Sequence, residues 1–432
     1  MTDIYEIAEY TLKALKDCGA DAAQCIVGRS KKDELNVDGG KFSLMRSTFN
    51  TSISMKAIKD GKKGVTSINQ ATKEAIDEAA AQCIAAAESS VPDEAEQIAP
   101  FTAKTEYKTG VFEPDLDKLF DRIEEFMSQT KKEYPKIILE QLISDYEHSE
   151  KLYMNTNGTS LRYEHGEYSF NTMFSAHEGE KASSFNGYFC ALDNLDKPFM
   201  DAGMQRQLLE ESEKQLDTVS PSEKFVGKVI YSPDCFNELL QTALENFASS
   251  GVLIDGTSPW KDALNTKVAS EKLNLRSVPL DGRTVVGQRF TSDGYPAENM
   301  DIIVDGVLKT FILSQYGANK TGFPRALNGG NNLEVLPGDK TLEEMIAGID
   351  KGLIVNRFSG GQPSSNGDFS GVAKNSFLIE NGKVSSAVSE TMISGNIIDM
   401  LNNIVAISKE QTTDGLSFMP WAEFDRVTVS GK

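Results

Sequence analysis

Asp368 and Glu390 are the acidic pair in this sequence that could exchange a proton with a bound molecule. Two carboxylates held near one another can serve as general acid and general base. The same two could instead accept hydrogen bonds from exposed loop amides, and the residue types do not decide between these roles. They lie within a stretch dense in glycine, from Asn356 to Asn396, that includes Gly360, Gly361, Gly367 and Gly371. Glycine lets a second backbone approach closely, so such a stretch suits the floor of a cleft as well as a surface loop. Elsewhere, His165 and Glu167 share one face of a strand pattern, where a metal could bridge them, although two ligands are too few to hold one. Cys235 opens a helix pattern, where the dipole could lower a thiol pKa; the alternative is a small buried hydrophobe.

Absences narrow the chemistry further. The chain has three histidines, His148, His165 and His177, all in its first half. A Ser-His-Asp site within the glycine-rich half is therefore excluded, and no GxSxG elbow occurs. GxGxxG, Walker A and HExxH patterns are also missing. Gly282 to Gly287 has P-loop spacing, but Gln288 stands where a phosphate-binding lysine is needed.

The elements that must position these residues come in blocks. A helix carries Ile4, Ile7, Ala8, Leu12 and Leu15 on one face, and an alanine-rich helix covers Thr72 to Glu88. Four short strands are expected at Ala22–Arg29, Glu34–Val37, Phe42–Thr48 and Ser52–Ile58. Ser89 to Thr109 reads as a connector, followed by a helix from Leu116 and then antiparallel strands from Ile137 to Leu192. Past Ser220-Pro221, Ser232-Pro233-Asp234 starts a helix with a capping serine, a first-turn proline and an acid at the positive dipole end. Thr341 to Glu344 has capping-box form. Asn381-Gly382 predicts a hairpin, and Asn396 caps a helix running through Ile404 and Val405. This grouping predicts an α+β fold, with domains at residues 1–219 and 220–432.

The formal charge of −20 disfavours contact with phosphate backbones, so no nucleic acid is expected as a partner. No apolar run is long enough for a membrane span. The five scattered cysteines lack CxxC spacing, which suits reduced thiols. Met1-Thr2-Asp3 leads into an amphipathic pattern without a basic leader, so a cytoplasmic location is expected.

Several segments resemble the TldD/PmbA (TldE) family, once called modulators of DNA gyrase. They are Ser258 to Ser270 (SPWKDALNTKVAS), Gln288 to Pro296 (QRFTSDGYP), Asp305 to Lys309, Gly367 to Ser370, Ile379 to Lys383 and Glu390 to Asn396. The likeness is to the PmbA/TldE branch, with Asp293 to Ala297 standing for a DGxPT-like segment. It implies a second domain built on a large curved β-sheet, which pairs with itself or with a TldD-type chain. It also implies a subunit of a heterodimeric zinc metalloprotease acting on small peptides and unfolded segments. The zinc would lie in a TldD-type partner bearing HExxxH and a cysteine from a Cys-Gly-Lys segment. The corresponding helix here, Cys235 to Ser249, has Glu238 and Glu245 but no histidine, and Gly415 to Pro420 has no cysteine. No cofactor, metal ligand or catalytic residue is therefore expected in this chain. Asp368, Glu390, Asn396, Gly361 and Gly367 are the expected peptide contacts, beside a path lined by Asn356 to Asp368. Two other readings stay open: an independent metal- or histidine-dependent hydrolase, and a homodimeric peptide-binding scaffold.

Overall fold

The computed structural model describes residues 3–221, 223–361 and 363–431. Long ribbons dominate the first part. Helix α1 (Ile4–Asp17) is capped by Asp3, and strands β1 (Ala22–Asp38) and β2 (Lys41–Lys59) form one hairpin turning at Gly39 and Gly40. Then come β3 (Lys62–Ile68), α2 (Lys73–Ser89), β4 (Thr105–Gly110) and α3 (Leu116–Glu133). Strands β5 (Ile137–Asn155), β6 (Ser160–Glu178), β7 (Lys181–Ala182) and β8 (Asn186–Leu192) follow, and helix α4 (Gln205–Lys214) closes this part. The sheet order is β3-β2-β1-β5-β6-β4, with β7 and β8 added on β6.

Two expectations are corrected here. The four short strands are two long ones, because the polar run Ser30 to Asp33 does not break the ladder. Lys32 pairs with Glu147 and Asp145, and Arg46 with Glu34, so cross-strand ion pairs occupy positions that looked like turns. The stretch read as a connector holds β4, which adds parallel to β6.

The second sheet begins with β9 (Thr218–Val219) and β10 (Phe225–Tyr231). Helices α5 (Pro233–Ala248) and α6 (Ser250–Ile254) come next, then β11 (Leu275–Ser277), β12 (Met300–Val304), β13 (Val307–Leu308), α7 (Gln315–Thr321) and β14 (Leu333–Val335). The remainder is α8 (Leu342–Ala347), β15 (Lys351–Val355), β16 (Arg357–Ser359), β17 (Asp368–Lys374), β18 (Ser376–Glu380), β19 (Lys383–Val388) and β20 (Thr391–Asn396). Helix α9 (Ile397–Asn402), β21 (Ile404–Thr413) and β22 (Phe418–Ser430) complete it. The order is β13-β12-β11-β14-β22-β10-β15-β18-β19-β9, mixed in direction. The fold is α+β, with a large mixed second sheet, as expected. The helix read through Ile404 and Val405 instead stops at Asn402. Both residues belong to β21, where Ile404 pairs with Phe424.

Alternation along the central strands explains how the sheets join. Val229, Tyr231, Leu353 and Val355 face the core beneath α5. Ile230 and Ile354, one residue over, belong to a different core, shared with Leu35, Tyr146 and Phe170 of the first sheet. Successive strand residues point to opposite faces, so a strand buried on both faces reads as an unbroken apolar run. Val229-Ile230-Tyr231 and Gly352 to Val355 have that character.

Candidate functional site: a cleft along the α5 helix

A cavity of about 490 Å³ lies where α5 faces the first sheet. Ser232 sets the start of the helix. Its hydroxyl accepts from the Cys235 amide and donates to the Asn356 carbonyl, and its own amide donates to Val355. The cap thus fastens α5 to the end of β15. One face of α5 buries Phe236, Leu240 and Phe247, and the opposite face turns Asp234 and Glu238, one turn apart, into the cleft. Asn171 to Met173 of β6 and Phe185 to Phe189 form the far wall, and Gln141, Leu208, Asn356, Arg357 and Asp414 complete the lining. Gly187 is needed in that wall, since a Cβ there would come within 2.3 Å of the Thr172 carbonyl.

The cleft is acidic. Asp234 is reachable by solvent yet walled by protein, and this burial, with Asp414 nearby, pushes its carboxyl up to about 6. Burial also raises Glu238, against the pull of Arg357. Behind the cleft, burial pushes Glu211 up to about 7. Glu211 accepts from Gln207 and, at 2.6 Å, from the Asn356 side-chain amide. Arg357 donates to the Phe185 carbonyl, tying the walls together. A smaller apolar pocket, about 40 Å³, continues past Cys235 and Glu238 and is lined by Tyr231, Leu239, Phe358, Phe369 and Ile397.

None of the five expected contact residues lines either cavity. Asp368 pairs with Asn396 at one end of the β17/β20 ladder, and Glu390 lies just past the other end, where Ala373 pairs with Thr391. Asp368 and Glu390 therefore do not form an acid/base pair. Asp368 accepts from Asn396 and Asn366, each at 2.9 Å, and these bonds hold its carboxyl below the usual range. Asn396 caps α9 through the Ile398 amide. Gly361 and Gly367 have positive φ, and a Cβ on Gly361 would strike the Ser370 carbonyl at 1.5 Å. Asn356, Arg357, Phe358, Pro363 and Phe369 of the glycine-dense stretch line the two cavities. Asp234 was legible only as a dipole complement, and nothing local marked Asp414 as its neighbour.

The remaining sequence candidates are structural. Cys235 is buried, and burial pushes its thiol up, opposite to dipole activation. His165 Nε2 lies 3.2 Å from Glu167 without a third ligand. His148 meets Glu164 and His177 meets Ser175, all away from the cleft. Among the described residues no group of three or more His, Cys, Asp or Glu is placed to hold a metal ion.

Residues 224–431 match the PmbA/TldA metallopeptidase C-terminal domain, and residues 23–87 match PmbA/TldA metallopeptidase domain 1. The chain belongs to the PmbA/TldD metallopeptidase family. It is 31% identical over 155 residues to metalloprotease PmbA of Escherichia coli O157:H7, covering 35% of this chain and 34% of that one. It is 29% identical over 195 residues to a zinc metalloprotease TldD homolog of Saccharolobus solfataricus, covering 42% and 44%. These alignments span less than half the length of either relative. Two solved structures share the fold over nearly the whole chain. TldE of Thermococcus kodakarensis has TM-score 0.81 at 22% identity, covering 98% of this chain and all of that one. A Bacteroides thetaiotaomicron protein described as a modulator of DNA gyrase has TM-score 0.83 at 23% identity, with both chains fully covered. The family name implies a metal, but the donors in this cleft do not fit zinc. They are carboxylates without an imidazole or an accessible thiolate, whereas hydrolytic zinc sites in proteins use about three ligands, usually including histidine.

Proposed function

We propose that this chain is the non-catalytic, PmbA/TldE-type subunit of a two-chain zinc metalloprotease whose metal and catalytic residues come from a TldD-type partner. The observation that carries this reading is the composition of α5. The helix that walls the cleft presents Asp234 and Glu238 and has no histidine. In this role the chain holds extended peptides, which strand edges and glycine-bearing loops bind through backbone hydrogen bonds with little demand on sequence. Without its partner it pairs with a second copy of itself.

Co-expression with a TldD-type chain bearing HExxxH tests the proposal. The expected outcome is a stable mixed complex that cleaves peptides, while the isolated chain holds well under one zinc per molecule. One tightly held, chelator-sensitive zinc per isolated chain, accompanied by peptide hydrolysis, would overturn it.

A further inference from the structure

The acidic cleft contains an unpartnered group that specifies its ligand more narrowly. Asn356 is 8% exposed, and its side-chain oxygen has no hydrogen-bond partner. Its side-chain nitrogen donates to Glu211, and in that orientation the oxygen is left as an acceptor. A buried acceptor without a donor costs free energy that a bound N–H would recover. Around it stand three carboxylates, Asp234, Glu238 and Asp414, against the single guanidinium of Arg357, which is already engaged with Phe185. Asp414 spends one oxygen on the Leu416 and Ser417 amides. The apolar pocket next door, reached past Glu238, has room for one small side chain.

We propose that this cleft binds the primary ammonium group of an extended peptide, with Asn356 and the carboxylates Asp234 and Glu238 receiving its N–H donors and the adjoining pocket taking a neighbouring apolar side chain. An ammonium offers three donors and a positive charge, which matches three acceptors in an anionic cavity. Both an amino terminus and a lysine side chain carry this group. That the ammonium belongs to a peptide rests on the subunit reading above; the ammonium preference itself rests on the cleft alone.

The test uses the full chain and three C-terminally labelled peptides of leucine, glycine and serine, followed by fluorescence anisotropy. One has a free amino terminus, one is N-acetylated, and one is N-acetylated with a single internal lysine. Acetylation is expected to weaken binding about tenfold or more. Recovery by the internal lysine would assign the side chain as a source, and no recovery would assign the amino terminus. Asp234→Asn and Glu238→Gln should each reduce affinity for the free peptide without lowering the melting temperature. Equal binding of all three peptides, no binding of any, or unchanged affinity in both variants would overturn the proposal. Co-purification with a TldD-type chain separates the two claims. A complex that forms without ammonium preference sinks only this inference, and ammonium-dependent binding without a complex sinks only the subunit assignment.

Discussion

At the scale of single residues, His165 and Glu167 form the sharpest physical test. The His165 Nδ1 atom lies 2.8 Å from the Thr109 hydroxyl and 3.1 Å from the Thr109 carbonyl; a ring that donates to the carbonyl carries its proton on Nδ1 and leaves Nε2 a bare acceptor. Burial pushes the imidazole pKa down, which favours the neutral ring. An ionised Glu167 would then face Nε2 acceptor to acceptor, and both atoms would be left unpaired, whereas a protonated Glu167 donates across the 3.2 Å gap. Burial, reinforced by Glu147 and Asp145, pushes Glu167 up from 4.5 to about 7. The native state therefore keeps a proton that the unfolded chain has released between those pH values. The stability this supplies is complete below about pH 4.5 and lost as pH rises through 7, up to about 3 kcal/mol. Glu167→Gln, which keeps a donor, should be more stable than the parent at pH 8 by up to that amount and equal to it near pH 4. Urea titrations at the two pH values check this, and a pH-independent difference would contradict it.

At the scale of elements, the β18/β19 hairpin and the β17/β20 loop invite contrasting substitutions. Asn381 and Gly382 have φ of 51° and 74°, and a Cβ on Gly382 would come within 2.9 Å of the Ala347 carbonyl. Gly382→Val should cost about 1–3 kcal/mol from backbone strain alone, with the steric contact adding to it. Asn396→Ala removes the α9 cap and one bond to Asp368, for a cost of about 1 kcal/mol. Asp368→Ala, at an exposed position, should cost less. Melting temperatures of the three variants give the order. If Asp368→Ala unfolds the protein as badly as Gly382→Val, the clasp between Asp368 and Asn396 is a structural keystone, and the expectation that these residues serve peptide contact fails.

At the scale of the molecule, one hydrophobic cluster includes residues of both sheets, from Leu35 and Phe170 to Ile230, Ile379 and Trp421. Neither half can lose its partner without exposing that surface. The chain should therefore unfold in a single calorimetric transition, and Trp421→Ala, which empties a buried aromatic site, should lower it by the equivalent of about 3–5 kcal/mol. Two separated transitions, with only the later sheet responding to Trp421→Ala, would show that the halves are independent.

Much of this protein is determined by local chemistry. The Ser232 and Thr341 caps, the Asn381-Gly382 turn and the apolar faces of α1, α2 and α3 follow from side-chain hydrogen bonds, positive-φ tolerance and helical periodicity. All stand where the sequence places them. The lack of histidine in the second half is equally a property of sequence. Strand length was not determined locally, because the polar middle of the β1/β2 ribbon is held by ion pairs with distant strands. The end of α9 was not either, because pairing with β22 draws Ile404 into a strand. The cleft is the clearest case. Asp234, Asn356 and Asp414 meet only because β10 and β15 lie side by side, with β22 on the other flank of β10. The raised pKa of Asp234 and the unpartnered Asn356 oxygen come from the burial that this meeting creates.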